Sequence, residues 1–245
     1  MRALISICSL FRSMSKTRTA YCSGYKPCQQ SSEEILSALD EEIHKLRSVF
    51  PELAHCDFDH EMAEAIRQGT IKLHCRAERW GLLPHWQIIG DNYFVALRKA
   101  LSALNEEKEE KFYDYVIEQD LLWYLQQSQR SKEAIDKIKY EQRNSGVLIF
   151  AYQFGALHTG KASCVELEPA EFPLDPFSVV CLLITHPERL KSENDLWVSC
   201  PGAVCTVIDK PYTTLFKVDG DLEFDVIPTD QPVDCSGPAT GFLPQ

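Results

Sequence analysis

No stretch of this 245-residue chain approaches the roughly 18 to 20 consecutive apolar residues that a membrane-spanning helix needs. The longest apolar runs sit near residues 147–154 and 179–184, and no membrane partner is expected. Basic residues are scarce as well. The chain carries 25 Lys and Arg against 36 Asp and Glu, a net charge of −11. The imbalance is uneven: residues 1–30 hold +5 with no acidic residue, residues 31–145 hold −7 and residues 146–245 hold −9. An acidic body repels polyanions, because binding them needs clustered Lys and Arg to release counterions. Nucleic acid is therefore disfavoured as a partner. The acidity reads first as a device for solubility, with a face for a basic partner protein as the sharper alternative.

Several catalytic signatures are missing. No two cysteines stand in the redox spacing with two residues between them. No two histidines flank a glutamate in the zinc-protease pattern. No glycine-flanked serine marks a nucleophile elbow. The ten cysteines are scattered, which suits reduced thiols in the cytoplasm better than a secreted disulfide framework. Cys56, Cys75, Cys164 and Cys181 adjoin apolar or helical patterns and read as small core hydrophobes.

The basic start contains Arg2, Arg12, Lys16 and Arg18. Its apolar stretch, residues 3–11, is cut short by Arg12 and no small-residue cleavage site follows. A secretory signal is not convincing on this pattern. The segment reads as a disordered basic tail, with Met14 as a second candidate start and an organelle transit segment as the alternative.

Residues 31–145 read as helical throughout. Ser31 and Glu34 have capping-box spacing, and Leu36, Leu39, Ile43, Leu46 and Phe50 keep a helical period up to Pro51. A short helix is expected from Asp57 or Asp59 to Gly69, and a third after Thr70 with Leu73, Ala77 and Trp80 inward. A fourth follows Asp91, with Phe94, Leu97, Leu101 and Leu104 on one stripe. A fifth is expected over residues 105–127 and a sixth from Ser131 to Arg143.

From Gly146 the texture changes, with ten of the 13 prolines at or after residue 169. Asp219 and Gly220 suit a two-residue hairpin turn. Leu222, Phe224 and Val226 alternate with Asp221, Glu223 and Asp225, predicting a hairpin at 213–227 with one wet face. Two further strands are expected at 195–200 and 203–209. Asp175 and Pro176 suit the cap and first turn of a helix. The tail after Ile227 reads as loop. The fold expectation is α+β: a basic tail over 1–30, a helical N-terminal part over 31–145 and a smaller mixed, strand-containing part over 146–245.

Three constellations could carry chemistry. Gly155, Gly160 and Lys161 match most of a phosphate-binding loop, in which glycine amides wrap a phosphate and the lysine adds charge. Ala162 stands where the magnesium-ligating hydroxyl is required, and Pro169 would interrupt the helix that must follow. His60, Glu64 and His74 lie in or near a stretch rich in metal-ligating side chains, though the same acidic residues suit a helix start. Cys164 with His158 or His186 is the candidate nucleophile–base pair. Cys200 and Cys205 could join Cys22 and Cys28 in a four-thiolate zinc site. No cofactor is expected, with zinc as the exception to test. Trp80, Trp86, Trp123 and Tyr124 read as core or interface anchors, with a partner-binding hot spot as the functional alternative. The expected function is a soluble, acidic, non-catalytic protein-interaction module. The alternative is a small metal- or thiol-dependent enzyme, and behind it nucleotide binding at residues 155–161.

Overall fold

A computed structural model describes residues 32–107, 111–118, 120–143, 145–207 and 210–244. The basic tail, Ser31, Cys22 and Cys28 lie outside the described residues. Helix α1 (Ser32–Val49) buries Leu39, Ile43 and Leu46, the stripe read from its period. Pro51 ends it by opening a 3₁₀ turn, Pro51–Leu53, where a missing N–H costs nothing. In α2 (His60–Arg67) the Asp59 carboxylate accepts the Met62 N–H at 3.0 Å, and Gly69 closes the helix at φ +71°.

The expected third helix is absent from the described residues. Trp80 instead belongs to strand β1 (Arg79–Pro84). A short α3 (Trp86–Ile89) leads to α4 (Tyr93–Glu107), whose Leu97, Leu101 and Leu104 are buried. The expected fifth helix also dissolves. Its residues form β2 (Phe112–Asp114), α5 (Tyr115–Glu118), a 3₁₀ turn (Leu121–Tyr124) and β3 (Leu125–Gln127). Helix α6 (Gln129–Glu141) starts two residues early, because Ser128 caps it by accepting the Ser131 N–H.

Strand β4 (Val147–Gln153) is followed by β5 (Glu171–Pro173), helix α7 (Pro176–Thr185), β6 (Trp197–Val207), β7 (Lys210–Asp219), β8 (Asp221–Pro228), β9 (Ser236–Pro238) and β10 (Thr240–Phe242). They make two sheets. The first runs β1-β4-β10-β5, all antiparallel. The second runs β2-β8-β7-β6-β3, with β9 beside β6. Helix α7 is apolar on every side and buried from Pro176 to Ile184. It packs against α1, α4, β1 and β6, which makes it the hub of the core. Helix α6 packs against β4, β5 and β6. Strand β4 is buried along its whole length, and that explains why it reads as an unbroken apolar run rather than an alternation. Beyond the reach of β10, the Gln142 side chain completes its pairing: it donates to the Ile149 carbonyl at 2.6 Å and accepts the Ile149 N–H at 2.8 Å.

This arrangement overturns the expected division into a helical part and a smaller mixed part. Strands β1, β2 and β3 lie within 31–145, and each pairs with a strand from beyond residue 146. The C-terminal part is mostly strand, with α7 its one α-helix among the described residues. The physical reason is long-range pairing. Residues 79–84 and 112–127 have enough periodic apolar residues for a helix, and sheet partners elsewhere in the chain override that local preference. The expected loop after Ile227 also supplies β9 and β10, β10 lying between β4 and β5. The hairpin forms, but Asp219 faces Asp221 across Gly220 at φ +83°. Its wet face is only partly wet: Lys217 lies 2.9 Å from both Glu223 and Asp225, and Asp225 is buried.

Candidate functional site

The loop after β4 uses its own amides. Gln153 Oε1 accepts the Gly155 N–H at 2.6 Å and the Leu157 N–H at 3.4 Å. The Gly160 N–H donates to the Ser236 carbonyl at 2.8 Å, and the Lys161 N–H to the His158 carbonyl at 3.0 Å. A 3₁₀ turn, Ala156–His158, follows Gly155 where a phosphate site would place an α-helix. Gly155 has another reason to be glycine: at φ +95° a Cβ there would meet the Gly237 carbonyl oxygen at 2.4 Å. Two backbones touch at this point.

The metal candidates are engaged separately. His60 Nε2 lies 3.2 Å from Asp57 Oδ2, Glu64 holds Arg67 and Gln68, and the His74 ring stacks on Phe242 at 4.4 Å. Among the described residues no three His, Cys, Asp or Glu side chains converge as a metal group. Cys164 is exposed, and so is Cys75; Cys181, Cys200 and Cys205 are buried. His158 and His186 sit in two different polar clusters, the first against Glu171 and the second against Glu42, Arg79 and Glu188.

The first cluster lies between β4, β5 and β10. His158 Nε2 meets Glu171 Oε1 at 2.7 Å, and the Thr240 hydroxyl donates to the same oxygen at 2.6 Å. Arg76 Nη1 stands 3.8 Å from Glu171 Oε2. Burial alone would raise the Glu171 pKa, but the His158 and Thr240 hydrogen bonds outweigh it and hold the carboxyl below its ordinary value. Gln153 donates to Thr240 Oγ1 and to the Pro238 carbonyl, both at 2.8 Å. Each group is turned toward a neighbouring strand, so the cluster ties chain segments together.

The second cluster lies where the turn after α7 meets α1 and β1. Glu42 of α1 accepts the Leu82 N–H at 2.7 Å, and its Oε1 lies 3.2 Å from His186 Nε2. Arg79 Nη1 is 3.0 Å and Glu188 Oε1 3.4 Å from His186 Nδ1. Arg189 meets Glu78 at 3.2 Å and lies over the Phe154 ring. Burial alone would lower the His186 pKa, but Glu188 and Glu42 outweigh it and hold it above the ordinary histidine value. The hydrogen bond from His186 draws Glu188 down to about 2.

The surface carries the other distinctive feature. Trp123 is 69% exposed and Tyr124 60%, whereas Trp80 is buried. Trp123 stacks on Phe94 of α4 with ring centroids 4.1 Å apart, and the Arg98 guanidinium lies over Phe94 at 5.6 Å. Phe94 also lines a groove of about 440 Å³ with Phe50, Pro51, Arg98 and Lys99. Tyr113 and Tyr115 stack nearby in sequence, and Ile117 is exposed. Residues 112–127 include Asp114, Glu118 and Asp120 and no basic residue. The sequence marked Trp123 and Tyr124 as anchors. It did not show that Phe94, half-buried against the core at the end of the α4 stripe, also supports the Trp123 ring.

The chain matches no protein-family model, no curated protein and no solved structure.

Proposed function

We propose that the protein is a non-catalytic interaction module whose aromatic face around Trp123 receives a basic partner protein. The carrying observation is the Trp123–Phe94–Arg98 stack, continuous with the groove beside α4. Trp, Tyr and Arg dominate the binding energy of known interfaces, and an exposed cluster of large apolar side chains is uncommon on a surface without a binding role. The acidic segment that presents these rings suits Lys and Arg, which also stack on Trp and Tyr faces. No described helix is long and apolar enough to cross a membrane. The described cysteines are all free thiols, which supports residence in the reducing cytoplasm.

The test compares the native chain with W123A/Y124A and with Y140A, whose tyrosine is 79% exposed on α6. Each is expressed in source cells and cross-linked, and its cross-linked peptides are identified by mass spectrometry. The expected result is a stoichiometric partner linked through a Lys/Arg-rich surface to residues 112–127. W123A/Y124A should weaken it about 30-fold or more, the scale of losing an aromatic hot spot, while Y140A retains it. A partner held equally well by W123A/Y124A, or no stoichiometric partner, overturns the reading.

A further inference from the structure

His186 faces two incompatible neighbours with one nitrogen. The Arg79 guanidinium, 3.0 Å from Nδ1, can only donate, so it needs the Nδ1 lone pair. The Glu188 carboxylate, 3.4 Å from the same Nδ1, can only accept when ionised, so it needs a proton there. On the other side of the ring Nε2 lies 3.2 Å from Glu42 Oε1 without the alignment of a hydrogen bond, so that carboxylate acts on the ring through its charge.

We propose that His186 is a proton-operated switch: when neutral its Nδ1 accepts from Arg79 and so ties the turn after α7 to β1, and when protonated it releases Arg79 and donates to Glu188 within the turn.

The charges around the ring support this. Glu42 arrives from α1, Arg79 from the start of β1 with Glu78 just before it, and Glu188 and Arg189 from the turn itself; the Tyr152 ring comes from β4 and the Phe154 ring from just after it. Three carboxylates face two guanidinium groups, and a proton on His186 makes the cluster neutral. Glu42 is only 5% exposed, so its charge has little water to fall back on and gains most from that proton. Displaced from Nδ1, Arg79 already has a landing site, since its Nη1 lies 3.7 Å from Glu188. The turn is also held under strain: Leu190, a buried residue, sits at φ +52°, in the left-handed region that disfavours a non-glycine residue. Such a conformation persists only where its surroundings fix it, and the Arg189–Glu78 pair and the His186 contacts do so.

The experiment is imidazole nitrogen NMR on the full chain between pH 5 and 9, on the native protein and on E188Q and R79Q. Nitrogen shifts report which ring atom carries the proton. The expected neutral form carries Nε2–H with a bare Nδ1, and gains the Nδ1 proton on acidification. E188Q should lower the midpoint by at least half a pH unit, because it removes the acceptor of the cationic state. R79Q should raise it, because it removes both a positive charge and the competitor for the lone pair. Glu188 is 53% exposed, so E188Q leaves the fold intact and decides the matter if R79Q unfolds. A neutral form carrying Nδ1–H, a midpoint indifferent to E188Q, or shifts of the same sign in both variants overturns the proposal.

Discussion

Replacing Gly155 by alanine separates a structural glycine from a phosphate-cradling one. Gly155 sits at φ +95°, and its Cβ would fall 2.4 Å from the Gly237 carbonyl oxygen. The contact is reciprocal, since a Cβ on Gly237 would meet the Gly155 oxygen at 2.0 Å. Both obstacles are backbone, so no rotamer change relieves them. The left-handed conformation costs alanine about 1 kcal/mol, and forcing an extra carbon into a packed site about 1–3 kcal/mol more. Gly155→Ala should therefore destabilise by about 2–4 kcal/mol, read as a lower urea midpoint with an unchanged slope. Lys161 is exposed, and Lys161→Ala should stay within about 0.5 kcal/mol. A Gly155→Ala chain as stable as the native one would refute the packing argument. So would an Lys161→Ala variant destabilised as much as Gly155→Ala, since the loop would then depend on its lysine rather than on backbone contact.

Asp175 accepts the Ser178 N–H at 2.9 Å and the Gln127 amide at 2.8 Å from a buried position. Asp175→Ala loses the cap and strands the glutamine, about 2–3 kcal/mol together, and Asp175→Asn should recover most of it in urea melts. Trp123→Ala should change stability by less than about 1 kcal/mol, because it removes one ring stack at an exposed site; a larger loss by thermal melting would place Trp123 in the structural core instead. The Glu188 and His186 shifts fix a stability profile against pH. Glu188, held down to about 2, stabilises above the unfolded carboxylate value near ~4.3, and this is lost as pH falls toward 2. His186, held above its ordinary value, stabilises fully below ~6.5 and loses that as pH rises through its folded pKa. Their joint contribution peaks between about pH 4.5 and 6.5, and E188Q should flatten both arms of the urea midpoint plotted against pH.

What the sequence revealed divides by the range of the interactions. Local signals were legible: Asp59 and Asp175 cap the helices that follow them, Pro51 ends α1 and Gly220 turns the hairpin. Each of these acts within a few residues. Strands β1, β3 and β10 were not legible, since their identity comes from partners 60 or more residues away. Strand β10 is the extreme case. Its Gly241 has no side chain to signal burial, and that absence is what lets the Phe172 ring lie against it, where a Cβ would meet Cζ at 2.3 Å. Among the site candidates, His186 could be picked out by residue type. Its partners could not, because Glu42, Arg79 and Glu188 are ordinary surface residues in any local reading. Phe94 is half-buried at the edge of the stripe read from the sequence, packing on the core and also carrying the Trp123 ring.

The two buried histidines show why residue type alone does not assign a role. His158 and His186 each face a buried glutamate, at 2.7 and 3.2 Å. At His158 the neighbours agree. Glu171 takes the Nε2–H, the Thr240 hydroxyl donates to the same oxygen and Arg76 stands as counter-charge to the other. Among the described residues no arginine or second carboxylate contests the opposite nitrogen, which is buried without a hydrogen-bond partner, so nothing there pulls the ring toward a second state and the cluster is a fixed tie between β5, β10 and the loop after β4. At His186 the neighbours disagree. Arg79 and Glu188 demand opposite states of one nitrogen, and the three carboxylates outnumber the two arginines by one charge. A proton decides which of Arg79 and Glu188 the nitrogen serves, and the other is then held by the 3.7 Å Arg79–Glu188 contact and, at the half-exposed Glu188, by water. The difference between a tie and a switch thus lies in whether the second ring nitrogen is contested, and in this fold that is decided by where β1 and the turn after α7 deliver Arg79 and Glu188.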